Sequence, residues 1–189
     1  MIRRLLPWAS FGLLVAVVFF VGSQFWRASQ LPETLTAAVE GTTQAPPAAV
    51  WLVLNTAGVL TERFDEVEVY DLLEDDLGLG AWTTRHEDRN YLTRFTRIEA
   101  VQGGNGDDGD DGPWVYSYRI DAEDVPVQTL REVRFVGQGD GSTVITVTDQ
   151  LTIEDSGLRL WMGVLGIDSG AKNELKALTS LAVSASAAL

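Results

Sequence analysis

Between residues 65 and 154 six stretches alternate apolar and polar side chains, and STVITVTDQLTIE (142–154) is the cleanest case. Ile145, Val147, Leu151 and Ile153 fall on one face and Thr146, Thr148, Gln150 and Thr152 on the other, which is the period of a strand with one side buried. Asp149 interrupts the apolar face. The same period runs through DEVEVYDLLEDD, with Val67, Val69, Asp71 and Leu73 opposite Glu66, Glu68, Tyr70 and Leu72. It continues through AWTTRHED, NYLTRFTRIEAVQ, WVYSYRIDA and VQTLREVRFVG, where Trp114, Tyr116, Tyr118 and Ile120 share a face. Six successive strands joined by short turns predict an antiparallel, strongly curved sheet.

Helices flank this run. LTAAVEGTTQ, from Leu35, predicts one further strand, with Leu35, Ala37 and Val39 on a face, stopped by Ala45, Pro46 and Pro47. Proline suits the first turn of a helix, so AAVWLVLNTA is expected to be helical up to Gly58, with a shorter helix from Val59 to Phe64. Residues 158–184 predict one long helix whose stripe is Trp161, Val164, Leu165, Ala171, Leu175, Leu178 and Ala182. Gly163, Gly166 and Gly170 should make its first half bendable. At 189 residues the chain suits one folded domain, 31–189, behind an appendage, 1–30.

That appendage reads as a membrane anchor. Arg3 and Arg4 precede an uncharged stretch from Leu5 to Trp26, enough at 1.5 Å per residue to span a hydrocarbon layer of about 30 Å. Trp8 and Trp26 bracket it at positions suited to the two interfaces. A cleaved signal would place small residues at the exit, where Gln24, Phe25, Trp26 and Arg27 stand instead, so the segment is expected to be retained. The basic residues favour a cytoplasmic N-terminus and an extracytoplasmic domain.

Composition excludes much chemistry. A net charge of -13 argues against a nucleic-acid partner. With no cysteine and a single histidine, His86, there is no thiolate or imidazole metal site and no cysteine nucleophile. Nothing calls for a cofactor. The Gly/Asp stretch GGNGDDGDDGPW (103–114) has the look of a calcium loop, but eleven positions after Asp107 an EF-hand needs Glu and the chain has Tyr118. It is expected to be the solvated tip of a hairpin.

In the order strand, two helices, six strands and terminal helix, four motifs resemble the SRPBCC superfamily, the START-like helix-grip proteins often labelled polyketide cyclase/dehydrase. They are Ala45-Pro46 before AAVW (48–51), the acidic approach to VEVYDL (67–72), Gly78, Gly80 and Trp82, and GSTVIT (141–146). Where that family often carries a tryptophan after the first helix, this chain has TERFDEV with Phe64. The resemblance implies an α+β helix-grip fold, a curved antiparallel sheet wrapped around a long C-terminal helix, here preceded by one transmembrane helix. It also implies a cavity between sheet and helix for a lipid or other hydrophobic small molecule.

The side chains expected around such a ligand come from both sources. The strands supply Trp82, Tyr91, Phe95, Trp114, Tyr116 and Tyr118, and the helices Trp51, Phe64, Trp161, Met162 and Leu165. Asp149 on an inward face is either a ligand contact or weak acid-base candidate, or a structural carboxylate turned outward or paired with an arginine such as Arg134. Two rivals follow. One is a cyclase- or aromatase-like enzyme with Asp149 or Tyr116 as proton donor; the other is a filled-core interaction module. His86 reads as solvated surface, and Arg85, Arg89, Arg94 and Arg97 as members of cross-strand ion pairs.

Overall fold

A computed structural model of the chain describes residues 18–23, 26, 30–63, 67–76, 78–86, 92–103, 112–123 and 125–187. The strands are β1 (Thr34–Thr43), β2 (Val67–Asp75), β3 (Gly78–His86), β4 (Leu92–Val101), β5 (Trp114–Ala122), β6 (Val127–Gly137) and β7 (Thr143–Ile153). The helices are α1 (Pro47–Asn55), the single turn α2 (Leu60–Arg63) behind a 3₁₀ turn at Ala57–Val59, α3 (Ser156–Leu165) and α4 (Ser169–Ser186). All seven strands form one antiparallel sheet in the order β1-β7-β6-β5-β4-β3-β2. The six predicted strands are therefore neighbours in sequence order, and β1 closes the far edge by pairing with β7 from Thr34↔Thr152 to Thr43↔Thr143.

Alternation sets which face is inside. Along β7 every odd position is buried, from Thr143 to Ile153 and including Asp149, while the even positions reach solvent or half-reach it. Strand β2 departs from its predicted regularity. The register slips between Tyr70 and Leu73, Asp71 has φ 49, and Leu72 and Leu73 are both exposed. A bulge on an edge strand twists it away from further pairing, which explains why two leucines can stand outside.

The expected single terminal helix is two helices. Gly166, with φ 91, ends α3, and the chain restarts at Ser169, so the predicted bend is an elbow. Beyond it α4 lies directly on β1 and β7. A side chain at Gly41 would sit 3.0 Å from the Leu175 Cδ2, so the helix comes this close only because that strand position is bare. The Thr43 hydroxyl donates to the Thr179 carbonyl (3.2 Å) and the Thr143 hydroxyl to the Ala45 carbonyl (2.6 Å), tying the sheet to α4 and to the entry of α1. Helix α1, opened by Pro47, buries Ala49, Val50, Val53 and Leu54, and packs on α4.

The predicted anchor, Leu5–Trp26, falls largely outside the described residues. Residues 18–23 are helical, with Val18, Phe19 and Phe20 exposed. Among the described residues no helix is long and apolar enough to cross a membrane. The hairpin tip lies between β4 and β5, whose pairing closes at Val101↔Val115, and residues 104–111 of it are outside the described set.

Candidate functional site

The inward face of the sheet carries charge where a simple core would not. Arg131 of β6 and Asp149 of β7 are opposite one another in register, and both are buried. Arg131 donates through Nε to Asp149 Oδ1 (2.6 Å) and through Nη2 to Asp149 Oδ2 (2.7 Å), a two-pronged pair. Glu174 of α4 joins from above. Its Oε2 lies 3.5 Å from Arg131 Nη1, and its Oε1 accepts from Arg63 Nε (2.8 Å) and Nη2 (2.5 Å). Arg63, the last residue of α2, also donates to the Tyr118 hydroxyl (3.0 Å), and its guanidinium lies 5.5 Å from the Tyr118 ring centroid. Two arginines thus face two carboxylates, and one buried quartet links α2, α4, β6 and β7.

Burial alone would lower the affinity of either arginine for its proton. For Arg63 the charge of Glu174, and for Arg131 the Tyr118 oxygen with the Asp149 hydrogen bonds, outweigh it, so both are held above the usual range and stay charged. Burial pushes the Tyr118 hydroxyl up, helped by Glu174, and pushes Tyr116 up to about 12. Gly170 lets the first turn of α4 approach the quartet. A Cβ there would be 2.8 Å from Arg131 Nη2 and 3.3 Å from Asp149 Oδ2.

Aromatic rings fill the β2–β5 side of the interior. Trp82 and Phe95, cross-strand partners, stack with centroids 4.8 Å apart and planes 3° from parallel. Tyr118 lies 5.7 Å from Trp82 and 5.9 Å from Tyr116. Trp51 of α1 meets Trp114 edge-on at 5.4 Å and Tyr116 at 6.1 Å, and Trp114 stacks on Phe135. These separations are those of rings packed against one another.

Space opens elsewhere, at the elbow. A groove of about 380 Å³ is lined by Leu35, Ala37 and Ala38 of β1, Met162 of α3, and Gly166, Ile167 and Asp168 of the bend. It lies where Gly166 ends α3 and the chain turns before α4 begins at Ser169. Ala37 faces Asp149 in the β1–β7 register, so the floor of the groove adjoins the buried quartet. At the rim Asp168 pairs with Lys172 (2.6 Å), whose hydrogen bond holds the carboxyl below its usual range.

The structure thus divides the residues expected around a ligand. Trp51, Trp82, Phe95, Trp114, Tyr116 and Tyr118 come together in the interior, and Asp149 pairs with Arg131, the cross-strand neighbour of Tyr118. Among the described residues of the expected set, Met162 lines the groove. Trp161 does not join either group. It is on the outer side of α3 and 63% exposed, because the bend at Gly166 rotates α3 relative to the stripe that a straight helix would have kept. Phe64 and Tyr91 lie outside the described residues, as does the side chain of Leu165.

Asp149 faces inward and its partner is Arg131, not Arg134, which points outward to Glu132. Of the strand arginines, Arg97 forms the expected cross-strand ion pair, with Asp75 of β2, and the Arg85 guanidinium lies over the Tyr70 ring at 5.3 Å. Of the two proton donors considered for a cyclase-like reaction, Asp149 has both oxygens engaged by Arg131, and Tyr116 donates its hydroxyl hydrogen to the Leu79 carbonyl (3.0 Å). Among the described residues no group of three acidic or histidine side chains is placed to hold a metal ion.

Arg131 and Glu174 escaped the sequence reading although each left a signal. In VQTLREVRFVG the alternation that buries Val133 and Phe135 also buries Arg131, and Glu174 sits three residues after Ala171 and four before Leu178 on the helical stripe. A charge at a position the period marks as buried asks for an opposite charge at another such position.

No family profile matches the sequence, and no curated protein sequence matches it. Solved structures do match in shape. Norcoclaurine synthase from Thalictrum flavum, solved with dopamine and hydroxybenzaldehyde, superposes with a TM-score of 0.58 at 14% identity, covering 80% of this chain and 87% of that one. Ara h 8.0201 gives 0.57 at 13% identity over 80% and 99% of the two chains. Mll3558 from Rhizobium loti gives 0.52 at 19% identity over 78% and 96%. The fold is the helix grip, the one that the resemblance of the sequence motifs implies.

Proposed function

We propose that the protein binds a small hydrophobic molecule in the groove at the α3–α4 elbow and is held at a membrane by its N-terminal segment, with residues 31–189 as the binding domain. The observation that carries this reading is the groove itself: about 380 Å³, walled by Leu35, Ala37, Met162 and Ile167, is within the range of small-molecule sites. A protein of the same fold, norcoclaurine synthase, holds dopamine and hydroxybenzaldehyde. That protein also motivates the enzymatic alternative, but with Asp149 and Tyr116 engaged the binding role has the stronger support here.

The membrane part rests on residues 5–26 and on chain length. The exposed phenylalanines of the helical turn at 18–23 need an apolar surrounding. From Trp26 to Leu35, which lines the groove, there are nine steps, which at about 3.5 Å each reach no more than roughly 30 Å. The groove is therefore tethered close to the bilayer, with the N-terminus cytoplasmic and the domain on the other side, where lipidic molecules partition. Native mass spectrometry of the full-length protein extracted in detergent tests the reading. A retained small molecule is expected in the wild type and should be lost in Ala37→Trp, whose side chain fills the groove; a protein that never carries one, even after incubation with lipid extract, would contradict it.

A further inference from the structure

The groove's ligand has a chemistry that one arginine dictates. Arg159 of α3 is 9% exposed, and among the described residues its guanidinium has no hydrogen bond or ion pair; its buried Nε lacks any acceptor. Among the described residues the other buried arginines, Arg63 and Arg131, have carboxylates on them. A buried cation without a partner is costly, and in a chain of net charge -13 with acidic groups to spare its isolation is the anomaly.

Its position relates it to the groove. Arg159 is one helical turn before Met162 and two before Gly166, on the same side of α3, whereas Trp161 is on the opposite, exposed side. Helix α3 packs on β7, whose Leu151 pairs with the groove residue Leu35. Arg159 does not itself line the groove; it is one helical turn from Met162, which does, so an unpaired positive charge lies along α3 beyond the apolar trough.

Resting on the reading of the groove as a binding site, we infer that its ligand is an amphiphilic anion: an apolar body against Leu35, Ala37, Met162 and Ile167, and a carboxylate or phosphate head paired with Arg159. At roughly 30 Å³ per non-hydrogen atom, as for liquid water, the groove takes about a dozen such atoms, a whole short amphiphile or the near part of a longer chain. The head group belongs to a free amphiphile or to a single-chain lipid drawn from the bilayer, and the two share the chemistry that Arg159 recognises.

The test uses full-length protein in phosphatidylcholine nanodiscs and three ten-carbon probes, decanoate, decanol and decylamine, with affinity read by isothermal titration. Decanoate should bind about ten-fold or more tightly than decylamine, and Arg159→Met should remove that preference while leaving decanol unchanged. Because the substitution removes an unpaired buried charge, the unliganded variant should melt at the same temperature or higher, which a structural arginine would not allow. Arg159-dependent binding of lysophosphatidic acid carried in the nanodisc would support the lipid as the source, and of decanoate added from solution the free amphiphile. Equal affinity for decanoate and decylamine, or decanoate binding unaffected by Arg159→Met, would overturn the inference yet leave the groove reading intact. Failure of all three probes to bind would instead overturn that reading.

Discussion

Asp149, Arg131, Glu174 and Arg63 depend on one another more than on the rest of the core. Removing one charge from the quartet strands its partner in a place closed to water, so Asp149→Asn or Glu174→Gln should cost about 3–5 kcal/mol in urea unfolding. Replacing Arg131 and Asp149 together by methionine and leucine should cost clearly less than either single change, and equal costs would show that the charges are not coupled. Tyr116 supplies a pH signature. Its folded-state value is raised by burial from 10.0 to about 12, so above pH 10 the unfolded chain sheds a proton that the folded chain still keeps. Stability is therefore full below pH 10 and falls as pH rises towards 12, by up to roughly 3 kcal/mol, and Tyr116→Phe should flatten that slope. In the sequence Asp149 was legible as an intruder on an apolar face, but its partner was not. Arg131 and Arg134 are both near it in β6, and only the period-two alternation, applied strictly, separates the inward one from the outward one.

The elements divide by how local their signals are. Each strand of the 65–154 run could be read because alternation is written into consecutive residues, and the β4–β5 hairpin was placed correctly for the same reason. The groove could not be read in that way, because it is made where β1 meets a bend 130 residues later, and no local pattern joins Leu35 to Ile167. The glycines of the terminal segment did signal a bend; which of them made it depended on the positive φ that only Gly166 of the three adopts. Gly166→Ala should accordingly cost roughly 1–3 kcal/mol and loosen probe binding at the elbow, since an L side chain is strained there. A variant that is as stable as the wild type and binds as tightly would remove the elbow from the account.

At the scale of the molecule, α4 lies close on the sheet, with Leu175 over the bare Gly41 and Leu178 in the shared core, and the aromatic half of the interior is packed ring against ring. The helix-grip resemblance directs attention to the space under the terminal helix, whereas a groove lined by described residues opens at the start of that helix, next to the segment that leads from the predicted anchor. Photolabelling reports where in the fold a ligand sits. Full-length protein in nanodiscs, irradiated with a diazirine-bearing decanol and mapped by peptide mass spectrometry, should carry the label on residues 35–38 and on Met162 or residues 166–168. Label concentrated on Trp82, Phe95 or Tyr118, with the elbow unmarked, would contradict binding at the elbow.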